Sequence, residues 1–129
     1  MKALDTNVLV RFLVNDDERQ SKIVYRVFRQ AEMDKSTFFV PLLVVLETLW
    51  VLESVYNLAR NDILDSINEI LLMPILKFEA QATIQRFIFV ARESKYHSLK
   101  QSFPAEVYVI HRQWVNHRYM YLLSNFPAG

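Results

Sequence analysis

Asp5 is the first side chain in this sequence whose surroundings suggest chemistry. It follows a short apolar run and precedes Thr6-Asn7, after which a second apolar run begins. This pattern indicates a strand that ends on a carboxylate. In α/β proteins, ligands bind at the carboxyl ends of strands, because side chains there leave the packed sheet and face a crevice. Asp5 is therefore a candidate site residue.

Glu47 is the second candidate, because it lies in a segment that is apolar almost all round a helix, from Leu42 to about Leu58. A buried carboxylate is strongly unfavourable unless it is paired or bound to a metal ion. Glu47 therefore either belongs to a functional site, reaches water through a gap, or pairs with an arginine elsewhere. The sequence contains no cysteine, so oxygen or imidazole groups would have to hold any metal ion.

The elements that position these two carboxylates follow from hydrophobic periodicity. Strands are predicted over residues 2–4, 36–40 and 75–78, the first of them buried. Helices are predicted over about 6–14, 15–34, 42–58, 61–73 and 79–94. Strands that alternate with helices, without hairpin signals, indicate a parallel sheet with helices on both faces.

Three of these helices have candidate N-caps. Thr6 is the expected cap of the first helix, and Asn15 with Glu18 could form a capping box for the second. Asn61 or Asp62 could cap the fourth. The third helix follows Pro41, which suits a helix entry because it has no N–H to leave unsatisfied.

Length and composition favour one globular domain over the 129 residues, since 52% of them are hydrophobic. The longest apolar run, 38–52, contains Pro41 and Glu47 and is shorter than the ~20 residues of a membrane span. Asp5 and Arg11 interrupt the start in a way that a signal peptide does not. We therefore expect a cytoplasmic protein that makes no membrane contact.

Two groups of basic residues could contact a nucleic acid. Those of the second helix, Arg19, Lys22, Arg26 and Arg29, are most simply a solvated surface, although a nucleic-acid contact is the alternative. The tail from residue 95 is basic, holds all three histidines, and has Glu106 as its only acid. Its aromatic residues could stack on single-stranded RNA, but packing of a helix face in the core is the simpler interpretation.

Three segments carry a family resemblance. They are residues 1–11 (MKALDTNVLVR), Val40-Pro41 and residues 45–52 (VLETLWVL). Together they resemble the PIN-domain nucleases, in particular the VapC-type toxins of bacterial toxin–antitoxin systems. The resemblance covers residues 1–94. It implies a single α/β/α domain that acts as a Mg²⁺- or Mn²⁺-dependent ribonuclease on RNA, usually as a homodimer, and that a cognate antitoxin inhibits.

On the family pattern, Asp5 and Glu47 are metal ligands at the catalytic site, while Thr6 and Asn7 support the loop that carries Asp5. Such a site is chemically reasonable, because Mg²⁺ prefers oxygen ligands and carboxylates from separate elements can form its cradle. A bound cation can lower the pKa of a water and stabilise charge on the scissile phosphate.

The tail departs from this pattern. The family has a third and often a fourth acid, from a helix start after residue 94 and from the end of a later strand. Here residues 96–102 contain His97 and Lys100 instead, and no late aspartate follows. We therefore interpret 1–94 as family-like and 95–129 as divergent, and a frameshift near residues 95–100 would explain the change.

Three functional hypotheses follow from the incomplete set of acids. The first is a metal-dependent ribonuclease toxin in which Asp5, Glu47 and an unidentified third acid hold the cation. Glu106 is the late acid that could complete the site, and Glu79 or Glu93 could contribute only if the helix packing differs from the expected one. The second is a catalytically defective PIN-like module that still dimerises or binds an antitoxin through its apolar helices. The third is a diverged α/β domain with another ligand. Metal-dependent RNA cleavage that Asp5→Asn abolishes would separate the first from the second.

Overall fold

The computed structural model describes residues 2–14 and 17–93. Within those ranges the elements are, in chain order, β1 (Lys2–Ala3), α1 (Thr6–Val14), α2 (Glu18–Asp34), β2 (Phe38–Val40), α3 (Leu42–Ser54), α4 (Arg60–Leu71), β3 (Leu76–Phe78) and α5 (Gln81–Glu93). Strands separated by helices confirm the predicted α/β class.

The three strands form one parallel sheet in the order β1-β2-β3. Lys2 pairs with Phe38 at one side of β2, and Phe38 pairs with Leu76 at the other. Because the strands are parallel, their carboxyl ends meet at one edge, as the sequence predicted. The residues that follow β1 and the helix that follows β2 therefore start from that same edge.

Helix α3 has seven buried residues among its 13, which confirms the prediction of a helix buried on most of its surface. Helix α1 packs against both α2 and α3, and α4 packs against α3 and α5. The largest fully buried apolar side chains are Leu9, Leu49, Leu52, Ile63, Leu64, Ile67 and Ile70. These helices share one core with the sheet; Glu47 lies on α3 within it, and Asp5 lies directly before α1.

Three phenylalanines connect α1, α2 and β2. The ring of Phe28 lies 4.9 Å from that of Phe12 and 5.8 Å from that of Phe38, measured between centroids. Both pairs are tilted, an arrangement that aromatic rings prefer over face-to-face stacking. The cluster holds α2 against the start of β2.

The bounds predicted for α1 are confirmed, but the predicted cap is wrong. The Val8 N–H donates to Oδ1 of Asp5 at 3.1 Å, so Asp5 rather than Thr6 caps the helix. The capping box predicted for α2 is wrong as well. Oδ1 of Asp17 accepts a hydrogen bond from the Gln20 N–H at 3.1 Å and caps that helix, whereas Asn15 lies outside the described residues.

Helix α4 begins one residue before the predicted caps. Its N-cap is Ala59, whose methyl side chain can neither donate nor accept a hydrogen bond. Asn61 and Asp62 lie inside the first turn. The predicted cap is therefore wrong. Asp62 can still stabilise this end of the helix, because a negative charge in the first turn interacts favourably with the helix dipole.

The other differences from the predicted elements concern strand β1 and the end of helix α3. Strand β1 is exposed rather than buried, and burial begins at Leu4. Helix α3 stops at Ser54, about one turn before the predicted end near Leu58. The Tyr56 N–H bonds to the carbonyl of Val51 at 3.2 Å, and Asn57 adopts a left-handed conformation, so the chain turns away.

Three of the described residues occupy the left-handed conformation that usually favours glycine. They are Lys35 (φ 55°), Asn57 (φ 53°) and Ala80 (φ 57°). The only glycine of the sequence is Gly129. Side chains with a Cβ pay roughly 1–2 kcal/mol in this region. The structure thus shows that lysine, asparagine and alanine stand at turns where many chains use glycine.

Candidate metal centre

Asp5 lies where β1 gives way to α1. The Leu4 N–H donates to the carbonyl of Phe39 at 2.9 Å, so pairing with β2 continues up to the residue before Asp5. The Asp5 side chain is exposed, and its Oδ1 accepts the hydrogen bond from Val8. The carboxylate is thus held at the carboxyl edge of the sheet and is accessible from solvent.

Glu47 lies in the second turn of α3, the helix that begins directly after β2, and its exposed fraction is 0%. The interpretation that it reaches water through a gap is therefore wrong. Arg11 of α1, which packs on α3, is also buried, with 3% exposed. Pairing with an arginine and a role in a functional site both remain compatible with this burial.

Two oxygen atoms next to Asp5 in the sequence are buried without a hydrogen-bond partner among the described residues. They are Oγ1 of Thr6, a residue only 2% exposed, and Oδ1 of Asn7. Leaving buried polar atoms unsatisfied costs about 1–3 kcal/mol each, so such atoms commonly mark the place of a water, an ion or another ligand. The hydrogen bond that holds Asp5 comes from Val8 and not from these side chains.

The donor atoms at this edge fit Mg²⁺ or Mn²⁺ in kind but not in number. Carboxylate, hydroxyl and amide oxygens are hard donors of the type that Mg²⁺ prefers. Within residues 2–14 and 17–93, however, no three His, Asp or Glu side chains form a group that could hold a metal ion. The expected position of the third acid, near residues 96–102, and Glu106 lie outside the described residues.

Glu79 is a further acid at the same edge, and the sequence admitted it to the site only if the helices packed differently from the expected arrangement. It follows β3, and its Oε2 accepts a hydrogen bond from the Leu42 N–H at 3.1 Å. The sequence had placed Glu79 at the start of a helix, whereas α5 begins at Gln81. Pro41, whose side chain cannot cap a helix, signals that α3 needs an acceptor from elsewhere, but it does not identify Glu79 as that acceptor.

Comparison with known protein families identifies the family of this chain. The family model described as "PIN domain" matches residues 2–88, a range that includes both Asp5 and Glu47. The chain belongs to the PIN-domain family, and the family resemblance and the α/β/α fold expected from the sequence are confirmed.

A particular relative is a VapC ribonuclease of Aquifex aeolicus (strain VF5), which is 32% identical over 88 residues. The alignment covers 68% of this chain and 64% of the relative, so the chain spans less than two thirds of that protein's length. No solved structure matches the chain. Among the described helices, none is long and apolar enough to cross a membrane.

Proposed function

We propose that this chain is a metal-dependent ribonuclease of the PIN type and the toxin of a toxin–antitoxin pair. The observation that carries the proposal is the placement of Asp5 directly after β1 and of buried Glu47 on the helix that follows the neighbouring strand. Membership of the PIN-domain family and similarity to a VapC ribonuclease support RNA as the substrate and an antitoxin as the partner. We further propose that the chain acts as a homodimer in the cytoplasm.

Asp5 and Glu47 are the proposed ligands and catalytic residues. Together with an unidentified third acid, they would hold a Mg²⁺ or Mn²⁺ ion, which would lower the pKa of a water and stabilise negative charge at the phosphate. The helix cap uses only Oδ1 of Asp5, so the carboxylate can cap α1 and bind a cation at the same time. The buried oxygens of Thr6 and Asn7 would accept hydrogen bonds from ordered waters at the same edge.

The test is RNA cleavage by the purified full chain, with Mg²⁺ or Mn²⁺ and with EDTA. We expect cleavage that EDTA abolishes, and a loss of about 100-fold or more in both Asp5→Asn and Glu47→Gln, at the upper end of the effects of disturbing metal coordination. Glu32→Gln is the matched control, because Glu32 is an exposed acid on α2. Cleavage that persists in EDTA or in Asp5→Asn would refute the proposal.

The second candidate is a catalytically defective PIN-like module that binds an antitoxin. It is favoured by the lack of a third acid beside the two carboxylates in the described part of the chain. The same assay separates the two functions. Absence of divalent-dependent cleavage in the wild-type chain, together with retained antitoxin binding in Asp5→Asn, would support the module.

A further inference from the structure

Glu79 holds the junction between β2 and α3 by two hydrogen bonds. Its N–H donates to the carbonyl of Val40 at 3.0 Å, and its Oε2 accepts from the Leu42 N–H at 3.1 Å. The two bonds lie on either side of Pro41, the residue through which the chain enters α3. A single residue from the end of β3 therefore bridges the point where the helix begins.

Helix α3 needs such a contact because its own sequence supplies none. Its N-cap is Pro41, which makes no side-chain hydrogen bond, and its first turn contains no acid. The first four N–H groups of a helix lack partners within the helix, and the positive end of the helix dipole favours an anion there. The Glu79 carboxylate provides both an acceptor and a negative charge from 37 residues away in the sequence.

The contact matters for the candidate site because Glu47 lies on the same helix. Glu47 lies five positions after Leu42, which is a rise of about 7.5 Å along the helix axis. Because Glu47 is fully buried, its side chain cannot rotate through solvent to compensate for a shift of α3. The position of the first turn therefore sets the height and rotation of the Glu47 carboxylate relative to the sheet.

We propose that Glu79 is a positioning residue for Glu47, acting through the first turn of α3. This inference rests on the proposed function, in which Asp5 and Glu47 bind a divalent cation. The role proposed for Glu79 is to anchor the first turn of α3 through Oε2, which accepts from the Leu42 N–H, and not to bind the cation. Its role is to keep α3, and with it Glu47, in register with the sheet.

The test compares Glu79→Ala, Glu79→Gln and Asp17→Ala in the full chain. Asp17→Ala is the matched control, because it also removes a carboxylate that caps a helix at 3.1 Å, but on α2. Mn²⁺ affinity is measured by titration with MnCl₂, and amide hydrogen exchange is followed in the first turn of α3. Glu79→Gln keeps an oxygen acceptor for the Leu42 N–H, so it should restore what alanine removes.

We expect Glu79→Ala to weaken Mn²⁺ binding about 10-fold, within the range seen for residues that orient metal ligands. It should also speed exchange at the start of α3, while Asp17→Ala changes neither measurement. If wild-type protein binds Mn²⁺ and Glu79→Ala binds it equally well, the positioning role is overturned alone. If the wild-type chain binds Mn²⁺ no better than Asp5→Asn, the proposed function fails, and the positioning role fails with it.

Discussion

The N–H of Val8 donates to Oδ1 of Asp5 at 3.1 Å, so the carboxylate proposed to bind a cation is also the N-cap of α1. The two roles require different properties. A cap requires one acceptor oxygen, whereas binding a divalent cation benefits from the negative charge. Asparagine retains the acceptor and removes the charge, so substitution can separate the two roles.

Asp5→Asn should therefore abolish cleavage while leaving stability almost unchanged. Asp5→Ala should abolish cleavage and also lower the free energy of unfolding by about 1 kcal/mol, because the Val8 N–H loses its partner. Urea denaturation measures the difference. Asp17→Ala, which removes the α2 cap, should cost a similar amount without affecting cleavage. Equal destabilisation by the asparagine and alanine variants would show that Asp5 does not cap α1 through its acceptor oxygen.

Arg11 and Glu47 are the two buried charged side chains of the described region, and they lie on helices that pack against each other. We expect them to be energetically coupled, because opposite charges removed from water stabilise one another. A double-mutant cycle with Arg11→Met and Glu47→Gln should give a coupling energy of about 0.5–3 kcal/mol in urea denaturation.

The control cycle for this pair uses Lys22→Met with Glu47→Gln, since Lys22 is exposed on α2 and forms its ion pair with Glu18 at 3.6 Å. Its coupling energy should be close to zero. If the Arg11 and Glu47 substitutions also add without coupling, the two buried charges do not stabilise each other.

Lys35→Gly should stabilise the protein by about 1 kcal/mol, because glycine adopts the left-handed conformation without the Cβ clash. Lys35 follows α2 with φ 55°, and its backbone N–H donates to the carbonyls of Ala31 and Glu32, which closes the helix. Thermal denaturation should show the gain as a higher Tm. Lys22→Gly in the interior of the same helix should instead destabilise by about 1 kcal/mol. A lower Tm for Lys35→Gly would show that strain at this turn is negligible.

The frameshift hypothesis for residues 95–129 makes a prediction about the coding DNA. Translation of the segment after residue 94 in the other two frames should yield a helix that begins with an aspartate. A chain carrying that segment should then bind Mn²⁺ more tightly than the present chain, because it would supply the third acid. If neither frame encodes such a helix, the tail is a genuine divergence.

The fold was predictable from sequence where hydrophobic periodicity alone decides the outcome. The bounds of α1, the parallel pairing of three strands and the burial of α3 all follow from runs of apolar residues. The apolar neighbours of Glu47 in α3 favoured its burial, although access to water through a gap was an open alternative that the structure excludes.

Helix ends were predicted poorly because they depend on single hydrogen bonds that several neighbouring residues could make. Asp5 and Asp17 cap their helices where Thr6 and Asn15 were equally reasonable by residue type. The contact from Glu79 to Leu42 could not be predicted, since it joins residues from two elements whose register only the folded sheet defines.

The register of the sheet also determines when the candidate site comes into existence during folding. Lys2 pairs with Phe38 and Phe38 with Leu76, so every strand contact closes a long loop, whereas α1 and α2 are adjacent in the chain. Contacts that close long loops form slowly compared with local helix contacts. Asp5 and the start of α3, the helix that carries Glu47, reach the same edge only after β1 and β2 have paired. A nascent chain therefore carries two separate acids, and the proposed hydrolytic activity would arise only once the sheet is complete.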